Sequence, residues 1–189
     1  MLKFIYSTVN AGKSANLLMR THSCGERDIL HITFVPEVAK GRDGEATVSS
    51  RMGFKNEAYS LKEEDCPLKI IIEKGTEALA IFQVVFVDEA QFLSRKQVVA
   101  LCKISDELEI PVFAYGLRTD FKGEPFEGSK YLLAWADRVE EIATFEQGSV
   151  RKATFNLKVD EKGSPIKSGS SISPGFDYLP VSRKTFNLV

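Results

Sequence analysis

The sequence predicts an α/β protein in which helices flank a parallel β-sheet. Two short apolar runs, at residues 2–6 and 84–87, have the β-branched and aromatic content of strands that are buried on both faces. The first run leads through a loop of small residues to Gly12-Lys13-Ser14, and the second ends in Asp88-Glu89. Because the carboxyl ends of parallel strands meet at one edge of a sheet, we expect both polar segments at the same ligand-binding edge.

Residues 7–14 have the layout of a phosphate-binding loop, because they connect the first strand to a stretch without proline, 15–27, that predicts a helix. In such loops, backbone N–H groups and the helix N-terminus surround a polyphosphate. Lys13 would contact the phosphates and Ser14 would hold Mg²⁺. Ser7 stands where the pattern G-x-x-x-x-G-K-[ST] has glycine, so the motif alone leaves a Gly-Lys-Ser surface turn as an alternative. The predicted phosphate-binding residues are Ser7, Thr8, Val9, Asn10, Ala11, Gly12, Lys13 and Ser14.

Asp88 and Glu89 follow the predicted strand at 84–87. Carboxylates in this position lie beside the phosphate loop of a P-loop NTPase-like sheet, where Asp88 would face the metal ion. Acidic residues that simply solvate a turn are the alternative. The upstream Gly-Lys-Ser segment favours nucleotide chemistry over that alternative.

The composition excludes several classes of partner. The chain has 189 residues, enough for one substantial core and a modest appendage. Its 25 basic and 26 acidic residues give a formal charge of -1, which argues against nucleic acid or an anionic membrane and favours a small molecule. No apolar stretch approaches the roughly 20 residues that span a bilayer, and the N-terminus lacks a secretory signal pattern. We therefore expect a cytoplasmic protein.

Further patterns complete the predicted core. Residues 28–36 predict a second strand, whereas the small and polar segment 37–51 predicts a mobile loop near the nucleotide. Apolar residues at spacings of three and four predict a helix near 68–79. A capping-box pattern at Ser94 begins a helix over 95–107. A strand at 112–116, a helix at 130–137 and a strand at 139–142 follow.

The pattern changes after residue 143. Apolar and polar residues alternate from 153 to 159, and Asp160-Glu161-Lys162-Gly163 predicts the turn of a hairpin. Residues 167–175 are rich in serine and glycine, and apolar and aromatic residues follow them. This pattern predicts a flexible loop with an aromatic anchor, and a solvated linker with a loose tail is the alternative.

Three stretches are long enough to identify a family. They are the phosphate loop, Val-Asp-Glu-Ala-Gln-Phe at 87–92 and Tyr-Gly-Leu-Arg-Thr-Asp-Phe at 115–121. In these stretches the chain resembles the type II thymidine kinases, above all their bacterial and phage branch. The similarity continues through 126–129 and 132–137 and covers nearly all of the first 143 residues. That branch also has serine at the first position of the phosphate loop.

The resemblance implies transfer of the γ-phosphoryl group of ATP to the 5′-hydroxyl of thymidine, and also of deoxyuridine, with Mg²⁺. Glu89 matches the general base, which accepts the hydroxyl proton. A lasso loop, here 167–181, would close over the base. The nucleotide-binding positions after the strand are Asp88, Glu89, Ala90 and Gln91. The substrate-binding positions are Leu117, Arg118, Phe121 and Tyr178.

The resemblance also implies a division of the chain and an assembly. Residues 1–143 would form the ATP-binding core. Residues 144–189 would form a small, zinc-ribbon-like β subdomain that carries the lasso loop. The family further implies a homotetramer.

Two positions depart from the family pattern. Lys40 stands where the family has the aspartate of an Asp-x-Arg segment, which helps to organise Mg²⁺ and the phosphates. The four zinc-ligand positions hold Glu146, Ser149, Ser182 and Thr185, so zinc is not expected.

Something other than zinc must then hold the base of the lasso loop. We expect an apolar cluster to do so, formed by Phe145, Phe155, Leu157, Phe176 and Phe186. The two departures leave a catalytically weak or regulatory nucleotide-binding homologue as the alternative to an active kinase.

Overall fold

The structure, a computed structural model, describes residues 1–39, 46–166, 168–169 and 177–189. The strands in these ranges are β1 (Leu2–Ser7), β2 (His31–Pro36), β3 (Thr47–Ser49), β4 (Lys55–Glu57), β5 (Tyr59–Leu61), β6 (Val84–Val87), β7 (Val112–Leu117), β8 (Arg138–Glu141), β9 (Phe155–Val159) and β10 (Asp177–Val181). The helices are α1 (Lys13–Gly25), α2 (Pro67–Ala78), α3 (Arg95–Glu107), α4 (Glu127–Trp135) and α5 (Arg183–Leu188).

A six-stranded parallel sheet forms the centre of the described chain, with the strand order β5-β2-β6-β7-β1-β8. This sheet and its helices confirm the predicted P-loop NTPase-like α/β class. Because all pairs are parallel, the carboxyl ends of β1, β6 and β7 lie at the same edge. That edge receives the segments that begin after Ser7, Val87 and Leu117.

Both faces of the central strands are buried, as expected for parallel strands with continuous apolar runs, whereas the edge strand β8 is largely exposed. Phe4 and Ile5 are neighbours in β1 but belong to different apolar clusters, because successive side chains of a strand point to opposite faces. Helices α2, α3 and α4 contribute to the cluster around Phe4. Helix α1 contributes Leu17 and Leu18 to the other cluster.

Several predicted elements of the core are confirmed. Strand β6 and helix α3 have the predicted bounds, and α3 begins with the predicted capping box. In that box, Ser94 Oγ accepts a hydrogen bond from the Gln97 N–H, and the Gln97 side chain accepts one from the Ser94 N–H. Helix α4 begins three residues earlier than predicted, at Glu127.

The prediction of a loop over 37–51 is wrong where the structure describes it. Residues Glu37–Ala39 form a short 3₁₀ helix, and β3 pairs antiparallel with β4. Strands β4 and β5 were not predicted at all, since each has only three residues and β4 is polar. Residues 40–45, which include Lys40, lie outside the described residues.

The predicted C-terminal hairpin has its turn but a different partner strand. Asp160 forms the turn with Gly163, and the described residues directly after the turn form no strand but an isolated bridge, Val159 to Pro165. The main partner of β9 is β10, which pairs with it antiparallel. Helix α5 was not predicted. Most of the predicted lasso loop, residues 167 and 170–176, lies outside the described residues.

The predicted apolar cluster is partly present. The rings of Phe155 and Phe186 stack with centroids 4.4 Å apart, and they pack on a buried group formed by Leu157, Val159 and Val181. Phe145 is wrong as a member, because it is 65% exposed. Phe176 lies outside the described residues, and the domain boundary after residue 143 stays a prediction.

Helix α4 packs very closely on the short 3₁₀ helix Ala90–Phe92. A Cβ added at Gly128 would lie 2.3 Å from the carbonyl oxygen of Ala90 and 2.9 Å from those of Gln91 and Leu93. These contacts are backbone contacts, which cannot relax by a change of rotamer.

The described helices also include none that is long and apolar enough to cross a membrane.

We expect Gly128→Ala to lower the free energy of unfolding by about 1–3 kcal/mol through overpacking. Urea denaturation measures this loss. The control is Gly25→Ala, where an added Cβ meets nothing within 4 Å and the backbone is not left-handed. Equal stability of the two variants would contradict this account of the α4 contact.

Candidate active site

The phosphate loop turns between β1 and α1 through two left-handed residues, Asn10 (φ 60°) and Gly12 (φ 84°). Gly12 is the N-cap of α1 and has no side chain to cap the helix. The N–H groups of the first helical turn are therefore not used by a side-chain cap, which is the arrangement that binds anions at helix N-termini.

Lys13 is buried within this loop. Its ammonium donates hydrogen bonds to Ser7 Oγ (3.0 Å) and to the carbonyl oxygen of Thr8 (2.8 Å). Burial lowers the pKa of Lys13, and the charges of Glu89 and Asp88 oppose this effect. Ser7, the departure from the glycine pattern, thus supplies a hydroxyl that holds the lysine.

Asp88 lies at the end of β6 and faces the phosphate loop. Its Oδ2 accepts a hydrogen bond from Ser14 Oγ at 2.9 Å, and its Oδ1 accepts one from the Glu89 N–H at 3.0 Å. Burial, and then the charge of Glu89, raises the pKa of Asp88, whereas the Ser14 hydroxyl acts in the opposite direction. A carboxylate and a hydroxyl are hard oxygen ligands, so this pair fits Mg²⁺.

Glu89 adopts a left-handed backbone conformation (φ 50°), which is strained for a residue with a side chain. Its carboxylate accepts a hydrogen bond from Gln91 Nε2 at 2.5 Å, and Gln91 Oε1 accepts one from the Leu117 N–H at 3.0 Å. A Cβ at Gly116 would lie 2.8 Å from that Gln91 oxygen. Gln91 therefore ties the carboxylate of Glu89 to the end of β7, where only glycine leaves room.

Two predicted substrate-binding residues come together beside this edge. Phe121 is buried, and its ring centroid lies 6.5 Å from that of Tyr178. Burial, and then the charge of Asp120, raises the pKa of Tyr178. The Leu117 carbonyl accepts a hydrogen bond from Ser129 Oγ at 2.5 Å, which fixes the start of the segment that leads to Phe121.

Arg118 has a different environment from Phe121 and Tyr178. Its guanidinium donates to the carbonyl oxygen of Thr154 at 3.0 Å and lies over the ring of Tyr6. In this structure Arg118 joins the end of β7 to the C-terminal part of the chain. Ala90, which was predicted to bind the nucleotide, is fully buried in the 3₁₀ helix.

Sequence reasoning missed three polar residues near the site. Lys55 of β4 lines a cavity of about 310 Å³ together with Ser14, Asp88 and Glu89. Asn156 and Lys158 of β9 are 3% and 2% exposed, although they occupy the polar positions of an alternating pattern. Lys158 Nζ lies 5.0 Å from the Phe121 ring centroid. For Asn156 and Lys158, the available sequence signal was the polar face of the alternating pattern in β9, because a strand that covers the core can bury that face.

Three of the four positions that match zinc ligands in the family, Glu146, Ser182 and Thr185, form a hydrogen-bonded group. The Glu146 carboxylate accepts hydrogen bonds from the Thr185 hydroxyl and from the backbone N–H of Ser182, which lower its pKa. Ser182 Oγ donates to Thr185 Oγ1 at 3.2 Å and accepts from the Thr185 N–H at 3.3 Å. One carboxylate and three hydroxyls do not fit structural zinc, which takes cysteine and histidine. Among the described residues, no three His, Cys, Asp or Glu residues could hold a metal ion together.

Comparison with known proteins adds relatives that span almost the whole chain. A family model described as thymidine kinase matches residues 1–186. A thymidine kinase of Coxiella burnetii is 46% identical over 189 residues, which is 99% of this chain and 95% of the relative. A thymidine kinase of Haemophilus influenzae is 44% identical over 96% of this chain and 93% of the relative. One of Xanthomonas oryzae is 41% identical over 100% of this chain and 90% of the relative. With this similarity and a phosphate loop set in a parallel sheet, the chain belongs to the thymidine kinase family.

Proposed function

We propose that this kinase transfers the γ-phosphoryl group of ATP to the 5′-hydroxyl of thymidine, and also to that of deoxyuridine. The observation that carries the proposal is the meeting of Lys13, Ser14 and the Asp88-Glu89 pair at the sheet edge that also bears Phe121. The family of the chain supports the choice of substrates.

Glu89 is proposed as the general base. As the 5′-oxygen attacks the γ-phosphorus, the bond from phosphorus to the bridging oxygen of ADP breaks, and the hydroxyl proton passes to the Glu89 carboxylate. Gln91 holds one oxygen of that carboxylate at 2.5 Å. The strained backbone and this hydrogen bond together fix the base before substrate arrives.

Lys13 and the loop N–H groups are proposed to bind the phosphates, with Ser14 and Asp88 as the residues that hold Mg²⁺. When bound, Mg²⁺ would offset negative charge on the phosphoryl oxygens. The remaining proposed phosphate contacts are Ser7, Thr8, Asn10, Ala11 and Gly12. Val9 belongs to the same loop, but its N–H donates to Asn156 Oδ1. Ala90 and Gln91 act through the position of Glu89, since both are buried.

The nucleoside is proposed to bind beside Phe121, with Leu117 and Tyr178 as further walls and the lasso loop 167–181 over the base. Tyr178 is half-buried and close to Phe121, which supports this placement. Arg118 is proposed to support the pocket through its contact with Thr154. The reaction consumes ATP. We also propose a cytoplasmic location and a homotetrameric assembly. Light scattering tests the assembly through the molar mass of the particle in solution.

A phosphoryl-transfer assay with ATP across thymidine, deoxyuridine and deoxycytidine tests the function. We expect turnover of thymidine and deoxyuridine, and little or none of deoxycytidine. No turnover of any of the three would favour a catalytically weak or regulatory homologue. Turnover of deoxycytidine alone would contradict the proposed pocket.

We expect Glu89→Gln to keep ATP and thymidine binding but to lower turnover by about 10²–10⁴-fold, which is the usual contribution of a general base. The amide keeps the shape of the side chain and can still accept from Gln91, but it cannot take the proton. Steady-state kinetics and direct binding measurements check this. Glu107→Gln, at an exposed position of α3, is the matched control. Near-normal turnover of Glu89→Gln would remove Glu89 from the role.

We expect Lys13→Ala to weaken ATP binding and also to reduce turnover, because the variant lacks the charge that faces the phosphates. Isothermal titration with a non-hydrolysable ATP analogue measures the binding loss. Lys96→Ala, an exposed residue of α3, should bind the analogue like the unmodified protein. Unchanged affinity in Lys13→Ala would count against the assignment of the phosphate loop.

We expect the purified protein to contain no stoichiometric zinc and to bind thymidine in the presence of a chelator. The physical reason is the donor set at Glu146, Ser149, Ser182 and Thr185, since serine and threonine hydroxyls are poor zinc ligands near neutral pH. Elemental analysis and thymidine titration check the two statements. One zinc per chain, or binding abolished by the chelator, would overturn them.

A further inference from the structure

Asn156 connects three parts of the structure through one amide group. It lies in β9 and is 3% exposed. Its Oδ1 accepts a hydrogen bond from the N–H of Val9 at 2.8 Å, and its Nδ2 donates one to the carbonyl oxygen of Thr119 at 3.1 Å. Because one partner is a donor and the other an acceptor, the orientation of the amide is fixed.

The two partners belong to the two halves of the site. Val9 lies in the loop that we propose to bind the phosphates. Thr119 lies two residues before Phe121, the proposed wall of the thymine pocket. Strand β9 also pairs with β10, in which Tyr178 approaches Phe121. The buried side chain of Asn156 thus connects the β9 and β10 pair directly to the phosphate loop.

We propose that Asn156 is a positioning residue that fixes the backbone of the phosphate loop and couples ATP binding to thymidine binding. The inference rests on the proposed function, because it requires both ligands to bind this site. When thymidine binds, it orders β9 and β10. Because Asn156 lies in β9, its side chain and the N–H of Val9 are then fixed as well. ATP then meets a loop that is already ordered, and its affinity rises. By linkage, ATP must raise the affinity for thymidine by the same factor.

If Asn156 only filled space, it would act through its volume. A variant that keeps the volume but lacks the hydrogen bonds therefore distinguishes a packing role from a positioning role. Asn156→Leu keeps a similar volume but removes both hydrogen bonds. The matched control is Asn56→Leu at the half-buried Asn56, whose side chain bonds the Glu57 N–H at 3.0 Å and Thr21 Oγ1 at 3.4 Å. Neither partner of Asn56 belongs to the proposed machinery.

The experiment measures thymidine affinity with and without a saturating non-hydrolysable ATP analogue and Mg²⁺. For the unmodified protein and for Asn56→Leu we expect the analogue to raise the affinity about fivefold or more, within the usual range of coupling between sites. For Asn156→Leu we expect the ratio to fall to about one, while thymidine alone still binds.

Each outcome is decisive for one of the two proposals. Full coupling in Asn156→Leu, or no coupling in the unmodified protein, overturns the role of Asn156 while the proposed function stands. An unmodified protein that binds no thymidine overturns the proposed function instead.

A second measurement needs no variant and covers the case in which Asn156→Leu fails to fold. Amide hydrogen exchange of Val9 is followed in the unmodified protein, free and with thymidine alone. We expect thymidine to slow the exchange of this amide, although Val9 belongs to the phosphate loop. An exchange rate that thymidine leaves unchanged overturns the coupling.

Discussion

Three ionisable side chains, Lys13, Asp88 and Glu89, lie close together at the carboxyl edge of the sheet, and the rest of the site depends on this constraint. Lys13 and Asp88 are buried, and buried charges are costly unless they are paired or hydrogen-bonded. The lysine is satisfied by the loop and by both carboxylates, but the two carboxylates repel each other. A nucleotide with its metal ion would place a cation near the two carboxylates and phosphates near the ammonium. The charges of the site are therefore complementary to those of the proposed ligand.

Close backbone packing keeps this group in place. Glu89 is held in a left-handed conformation, which persists only where the surroundings determine it. Gln91 joins it to the end of β7, the absence of a side chain at Gly116 makes room for Gln91, and Gly128 lets α4 press on the same short helix. Their effect on the reaction would come through the position of one carboxylate.

The sequence predicted the parts of the molecule that local patterns determine. Strand β6 and helix α3 were predicted correctly because a continuous β-branched run and a capping box can be recognised from the local sequence alone. Strands β4 and β5 were missed because three residues are too few to show a period.

At the C-terminus, the sequence pattern located β9 but not its environment. The pairing of β9 with β10 spans a long segment, so no local turn signal could reveal it. The alternating pattern by itself also gave no reason to expect Asn156 and Lys158 to be buried, whereas in the fold they are 3% and 2% exposed. At the family's zinc positions, the residue types predicted the unsuitable donor set, but their mutual hydrogen bonds required the structure.

In the proposed mechanism, Glu89 meets the 5′-hydroxyl of a nucleoside, Lys13 contacts the phosphates of ATP, and Asp88 would hold their Mg²⁺ together with Ser14. A crystal structure with thymidine and a non-hydrolysable ATP analogue with Mg²⁺ tests it most directly. We expect a distance of about 2.6–3.2 Å between the thymidine 5′-oxygen and a Glu89 carboxylate oxygen, the range for proton transfer to a base. Thymidine bound with its 5′-oxygen away from Glu89, or phosphates bound away from Lys13, would contradict the account.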